Sequence, residues 1–308
     1  MKIIFMGSPA FAVTSLSALL NNKLVPELII CQPDKPFGRG QKIKACPIAE
    51  FTRLHKLDII QPKTLKEKDT HELIAKLKPD LIMVVAYGKI LPPQILEIPR
   101  YGCINLHASL LPKYRGAAPI NWAIVNGEEK TGVSIMMMNE KMDAGDILQK
   151  QEMLISPDET AIELYDRLAT IGASVLIDTI NNIEKYLANK TPQNHSVATL
   201  APILKKTDGL INWASSAKQI HNLIRGLLPW PVAYTHIHGK LLKIFKAKFT
   251  EDDHKEREGT AIISNNNLAI VTGKGLIYPL EIQIEGKSRM DIKSFLHGYK
   301  INHGEIFS

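Results

Sequence analysis

A chain of 308 residues, 45% hydrophobic and 22% charged, has the balance of a globular protein with room for two domains. No apolar run approaches the ~18 residues of a membrane span, and three scattered cysteines, Cys31, Cys46 and Cys103, exclude a disulfide framework or a CxxC metal site. The net charge of +7 is a modest excess that fits an anionic partner only if it is concentrated locally.

The first half alternates strand and helix. Lys2–Met6 reads as a buried strand rather than a signal peptide, because Gly7, Ser8 and Pro9 break the apolar run. Ser8 is expected as a helix N-cap with Pro9 at the first helical position. Phe11, Leu16, Leu19 and Leu20 then share one helix face. Leu28–Cys31, Asp58–Ile60, Leu81–Ala86 and Cys103–Leu106 read as further strands, and Leu65–Leu77 as a helix. Their near-continuous apolar character predicts a doubly wound, mostly parallel α/β sheet covered on both faces.

Thr160–Leu187 is strongly helical and should close the first domain. The stretch from Asn189 to Thr207 is polar, contains Pro, and has no sustained period, so it reads as a linker. Ser215–Arg225 is a short helix with Gly226 as its stop. Strand-like runs follow at Leu241–Phe249, Ala261–Ile263, Leu268–Thr272 and Leu276–Ile284, which suggests a small OB-like β-barrel. The expected organisation is therefore a first domain over 1–188, a linker over 189–207 and a second domain over 208–308.

Chemistry concentrates at Asn105-Leu106-His107-Ala108-Ser109-Leu110-Leu111-Pro112. It begins at the carboxyl end of a buried strand, where open α/β sheets place ligands. Residues two apart in a strand point the same way, so Asn105 and His107 offer an amide and an imidazole to one cavity. Such a pair suits a reaction that develops negative charge on a carbonyl oxygen; it would also serve as an ordinary polar pair at a strand end. Gly7 stands alone where a dinucleotide fingerprint needs three glycines, and the ten histidines show no metal-ligand spacing. Cys103 is best read as a small buried hydrophobe.

Continued through Lys113-Tyr114-Arg115-Gly116-Ala117-Ala118-Pro119, this segment resembles the signature of folate-dependent formyltransferases. The resemblance implies catalytic roles for Asn105 and His107. A third falls on Asp143 in Asp143-Ala144-Gly145, and Ser109, Leu110, Leu111 and Pro112 would line the site of 10-formyltetrahydrofolate. It implies direct transfer of the formyl group to an amine, tetrahydrofolate as product and no metal. Ala108 stands where many members have glycine.

Two features are similar to the methionyl-tRNA formyltransferase branch. One is the Gln32–Lys44 insertion, with Lys35, Arg39, Lys42 and Lys44 and no acid among residues 35–44. The other is the C-terminal extension with Asn222–Pro231. Lys246 and Lys248 there share a strand face, and with Lys218 and Arg225 they are candidates for a nucleic-acid surface. Trp230 is expected as a packing anchor. The implied partners are initiator methionyl-tRNA and folate, with no membrane or protein partner, in the cytoplasm. A formyltransferase acting on a sugar nucleotide or another small amine is the alternative. It would share the trio but not the reason for the 32–44 loop.

Overall fold

The computed structural model describes residues 1–37, 42–252, 254–264 and 267–308, and of 35–37 and 42 the backbone only. In chain order the first half runs β1 (Ile3–Gly7), α1 (Ala10–Asn21), β2 (Leu28–Ile30), β3 (Lys35–Phe37), β4 (Lys42–Lys44), α2 (Pro47–Leu54), β5 (Ile59–Ile60), α3 (Lys68–Leu77) and β6 (Leu81–Val85). It continues with α4 (Pro93–Leu96), β7 (Cys103–His107), β8 (Arg115–Gly116), α5 (Pro119–Val125), β9 (Lys130–Met137), β10 (Ile147–Leu154), α6 (Ala161–Asn181) and α7 (Ile183–Ala188). The second half holds β11 (Leu200–Ala201), α8 (Ala217–Gly226), β12 (Ala233–Ile237), β13 (Lys240–Thr250), β14 (Ala261–Ser264), β15 (Asn267–Val271), β16 (Leu276–Ile284), β17 (Met290–Asp291) and α9 (Ile292–Gly298).

Among the described residues these form two compact units, each with its own core. The first comprises Met1–Pro119, Lys130–Leu154 and Tyr165–Pro202; the second comprises Ile120–Glu129, Ile155–Leu164 and Ile203–Ser308. Of the stretch expected as a linker, residues 189–202 group with the first unit. The reason is a set of backbone pairings: Thr191 bridges to Ile147, and β11 runs parallel to β8.

The first unit is built on a sheet of order β10-β9-β7-β6-β1-β2-β5. β1 pairs in parallel with β2 and β6, β6 with β7, and β2 with β5, while β9 and β10 join antiparallel at one edge. Every residue of β1, β6 and β7 is buried, as their uninterrupted apolar runs require when both faces are covered. One face packs Ile4, Met6, Ile30, Ile82 and Val84 against Ile74, Leu91 and Ile95. Burying each such side chain stabilises the fold by about 1.5–3 kcal/mol relative to exposure. Strand order reverses direction between β1 and β6, which directs ligands to the carboxyl ends of β1, β6 and β7.

Helix α1 starts one residue later than expected. Pro9 is its N-cap and Ala10 its first residue. Ser8 does not cap because its hydroxyl instead accepts the Gln32 backbone N–H at 3.1 Å, tying β1 to the end of β2. Gly7 makes this tight turn possible, since a Cβ there would lie 2.6 Å from that of Ala12.

The second unit carries an OB-like antiparallel sheet of order β12-β13-β16-β15-β14, with β17 on β16. Its inward residues, among them Leu242, Ile244, Ile270, Ile277 and Ile282, pack against Ile220 and Ile224 of α8 and Phe295 of α9. Helix α8 opens with a reciprocal Ser216–Gln219 capping box. Within this unit Arg225 is buried at 7% exposure. Its guanidinium donates to the Asn222 side chain and to the Glu159 carbonyl. Arg225 is therefore withdrawn from the nucleic-acid surface on which the sequence placed it. Trp230 corrects in the opposite direction: it is 53% exposed and not a packing anchor. No helix of the described residues is long and apolar enough to cross a membrane.

Candidate active site

Strand β7 ends at His107, and Asn105 lies two residues earlier with its side chain on the same side. Both are buried, at 8% and 6% exposure. The Asn105 amide makes no hydrogen bond to the described residues, so its donors remain for a ligand. The His107 Nε2 lies 2.8 Å from the Tyr114 carbonyl. A carbonyl only accepts, so Nε2 carries the proton. That leaves Nδ1 facing Asp143, whose Oδ2 is 3.6 Å away. This separation exceeds a hydrogen bond.

The Asp143 carboxylate is aimed by its loop. The residue is in the left-handed region at φ +50°, and its Oδ2 accepts the Gly116 backbone N–H at 2.9 Å. Gly145 makes the close return of this loop possible: a Cβ there would sit 1.8 Å from the Met137 carbonyl. Any side chain at 145 would push the loop off β9 and move Asp143.

Gln193 completes the arrangement from far along the chain. Its Nε2 donates to the carbonyls of Asp143 and Gly145, at 3.0 and 2.7 Å. Its Oε1 accepts from Arg115 Nε and Nη2, at 3.1 and 2.6 Å. One buried amide thus links the Asp143 loop to the segment that carries Tyr114 and Gly116. Thr199 supports that segment, its hydroxyl accepting the Tyr114 N–H and its carbonyl accepting the Arg115 N–H. Neither Gln193 nor Thr199 was legible in advance, because both lie in the aperiodic stretch read as a linker.

The Ser109–Pro112 segment is held from β9. The Ser134 hydroxyl donates to the Ser109 carbonyl at 2.7 Å and accepts the Leu111 N–H at 3.1 Å. Ser109 and Leu111 are buried, whereas Leu110 and Pro112 are partly exposed. Lys150 Nζ donates to the Leu111 carbonyl at 3.2 Å.

Known proteins resemble this chain over nearly its whole length. A family model described as formyl transferase matches residues 1–180, and one described as formyl transferase, C-terminal domain, matches residues 203–300. The methionyl-tRNA formyltransferase of Alkaliphilus oremlandii is 48% identical over 307 residues, covering 99% of each chain. That of Acetivibrio thermocellus is 44% identical over 308 residues, again covering 99% of each. The chain belongs to the formyl transferase family. Among solved structures, an N-formyltransferase from Helicobacter canadensis, in complex with folinic acid and dTDP-3-aminofucose, is similar in fold. Its TM-score is 0.67 at 21% identity, covering 91% of this chain and 99% of that one.

In this formyl transferase the basic segments are less uniform than their sequence. Residues 32–44 include an antiparallel hairpin that pairs Lys35 with Lys44 and Phe37 with Lys42. Lys44 is exposed, and Arg39 lies outside the described residues. On β13 the ladder shifts register around Lys246, which turns Phe245 and Lys246 outward in succession. Lys246 and Lys248 are both exposed. Lys246 stands opposite Glu281. Lys248 stands opposite Tyr278.

Proposed function

We propose that this formyl transferase moves the formyl group of 10-formyltetrahydrofolate to the α-amine of initiator methionyl-tRNA, releasing tetrahydrofolate. The observation that carries the chemistry is the convergence of Asn105, His107 and Asp143 at the end of β7. The acceptor rests on relatives named methionyl-tRNA formyltransferase that match this chain from end to end.

The amine attacks the formyl carbon, and negative charge collects on the formyl oxygen. The Asn105 amide is a preorganised donor for that oxyanion, and the His107 ring becomes a second donor when Nδ1 carries a proton. With Nε2–H committed to Tyr114, the ring meets substrate through Nδ1. A neutral ring would face the Asp143 carboxylate acceptor to acceptor. A proton on Nδ1, or an N–H of the incoming amine, satisfies both groups. Asp143 is thereby positioned to accept the amine proton directly or through water. The C–N bond to the folate N10 then breaks, N10 takes up a proton, and the formamide leaves on the tRNA.

The 109–112 segment is the proposed folate contact. Lys35, Arg39, Lys42 and Lys44, with Lys246 and Lys248, are the proposed phosphate contacts. These substrates place the enzyme in the cytoplasm. Of the two exposed lysines on β13, Lys248 is the stronger candidate, because it stands opposite Tyr278 and Lys246 opposite an acid, Glu281.

Transfer of radiolabelled formyl from 10-formyltetrahydrofolate to charged initiator tRNA tests the proposal. A nucleotide amino-sugar assayed in parallel is the competing acceptor. Labelled formylmethionyl-tRNA is the expected product. Label on the sugar alone would move the assignment to the sugar-modifying branch.

A further inference from the structure

Three neighbouring strands carry the candidate site and what lies beside it. The ladder sets His107 of β7 opposite Ser134 of β9, and Ser134 opposite Lys150 of β10. Residues directly opposite in an antiparallel pair share one face of the sheet, so His107, Ser134 and Lys150 form a single row. Their backbones span two inter-strand spacings, about 10 Å.

Ser134 and Lys150 close on the same residue of the 109–112 segment. Leu111 is buried, and its N–H donates to Ser134 Oγ at 3.1 Å, while its carbonyl accepts from Lys150 Nζ at 3.2 Å. Both backbone polar groups of Leu111 are thus satisfied by one cross-strand pair of side chains. Met136, on the same face of β9, packs against the Leu111 side chain.

Lys150 brings more than this bond requires. A carbonyl needs only a neutral donor, whereas Lys150 is exposed and carries a full charge. An ammonium has three donors, of which Leu111 takes one. The one acid on β10, Glu152, is engaged by Lys130 at 2.7 Å. Among the described residues Lys150 has no ion-pair partner.

We propose that Lys150 binds the carboxylates of the glutamyl tail of the folate. This rests on the assignment of residues 109–112 to the folate. A folate carries its formyl group on N10, and an aromatic spacer separates N10 from the tail carboxylates. The row runs in the same sense, from His107 at the formyl group to an ammonium two strands away. Holding the ammonium on the Leu111 carbonyl reduces the side-chain entropy that usually offsets an exposed ion pair. A polyglutamyl chain keeps further carboxylates near the same charge and raises their effective concentration there.

The test is calorimetric binding to the full chain, with no formyl transfer involved. Three ligands are compared: 5-formyltetrahydropteroate, which lacks the tail, 5-formyltetrahydrofolate with a single glutamate, and its polyglutamyl form. The single glutamate should tighten binding about fivefold, the longer chain should tighten it further, and both gains should shrink as salt rises. Lys150→Met keeps an unbranched stem without the charge and should bring the three affinities together, whereas Lys150→Arg should preserve their order. Equal affinities in the unsubstituted chain, or the same order in Lys150→Met, would overturn the proposal. A uniform loss for all three ligands in Lys150→Met would also overturn it, leaving Lys150 as a support for Leu111 alone. If none of the three bound to the unsubstituted chain, the folate assignment itself would fall.

Discussion

The loop that carries Asp143 and the hairpin that carries Lys35 and Lys44 belong to one unit but are held in different ways. The Asp143 loop is fixed by Gly116, Gln193 and the close return at Gly145 onto β9. Those contacts come from residues that are buried or partly buried. The hairpin is held by its own ladder and presents Lys44 to solvent. A carboxylate proposed to accept the amine proton needs a fixed position, because misplacement by about 1 Å can cost a hundredfold in rate. A cation that neutralises a phosphate needs only to arrive nearby. The difference predicts that substitutions in the first region change turnover, and substitutions in the second change affinity and its salt dependence.

The largest effects should fall on the proposed oxyanion donors. Asn105→Ala and His107→Ala should each lower kcat by about two to three orders of magnitude, with tRNA retention in filter binding unchanged. Near-normal turnover in either variant would remove that residue from the chemistry.

Gln193→Ala sharpens the contrast because Gln193 need not touch substrate. Releasing the Asp143 loop should lower kcat by about ten- to a hundredfold while KM for tRNA stays nearly constant. A matching rise in KM would mean that Gln193 acts on binding instead of positioning.

Arg225→Ala separates packing from recognition. Losing the guanidinium leaves the Glu159 carbonyl and the Asn222 side chain without their donor, which should cost about 1–3 kcal/mol in denaturant unfolding. The slope of log affinity against log salt should not move. A shallower slope would return Arg225 to the tRNA surface.

The smallest effect belongs to the hairpin. Lys44→Ala should reduce the salt slope by about 0.7–0.9 if Lys44 meets one phosphate, leaving kcat at saturating tRNA unaltered. Lys248→Ala should behave likewise, and more clearly than Lys246→Ala. Three parallel salt series would show whether Glu281 opposite Lys246 mutes it.

Most of the α/β layout was legible because strands covered on both faces must be apolar throughout, as β1, β6 and β7 are. Asn105 and His107 stood out because the strand period places them together, and Asp143 only through family resemblance. Other features left no local trace. Strand β8 is a two-residue pairing with β11 across more than 80 positions, and its sequence is indistinguishable from a loop. Gln193 works through contacts 48 and 50 residues away, for which periodicity carries no information. Arg225 and Trp230 both depart from what their residue types suggest. A guanidinium can be buried when carbonyl and amide oxygens surround it, and an indole can stay exposed on a turn.

The tie between Tyr114 and Thr199 spans 85 positions, and this has a consequence for how the protein is made. A ribosome producing about 5–20 residues per second emits His107 and Asp143 several seconds before the segment that locks them. During that interval the nascent chain can form β1, β6 and β7 while the loops at their ends remain unanchored. The proposed site is therefore completed late in synthesis, when residues 193–201 emerge and fold back.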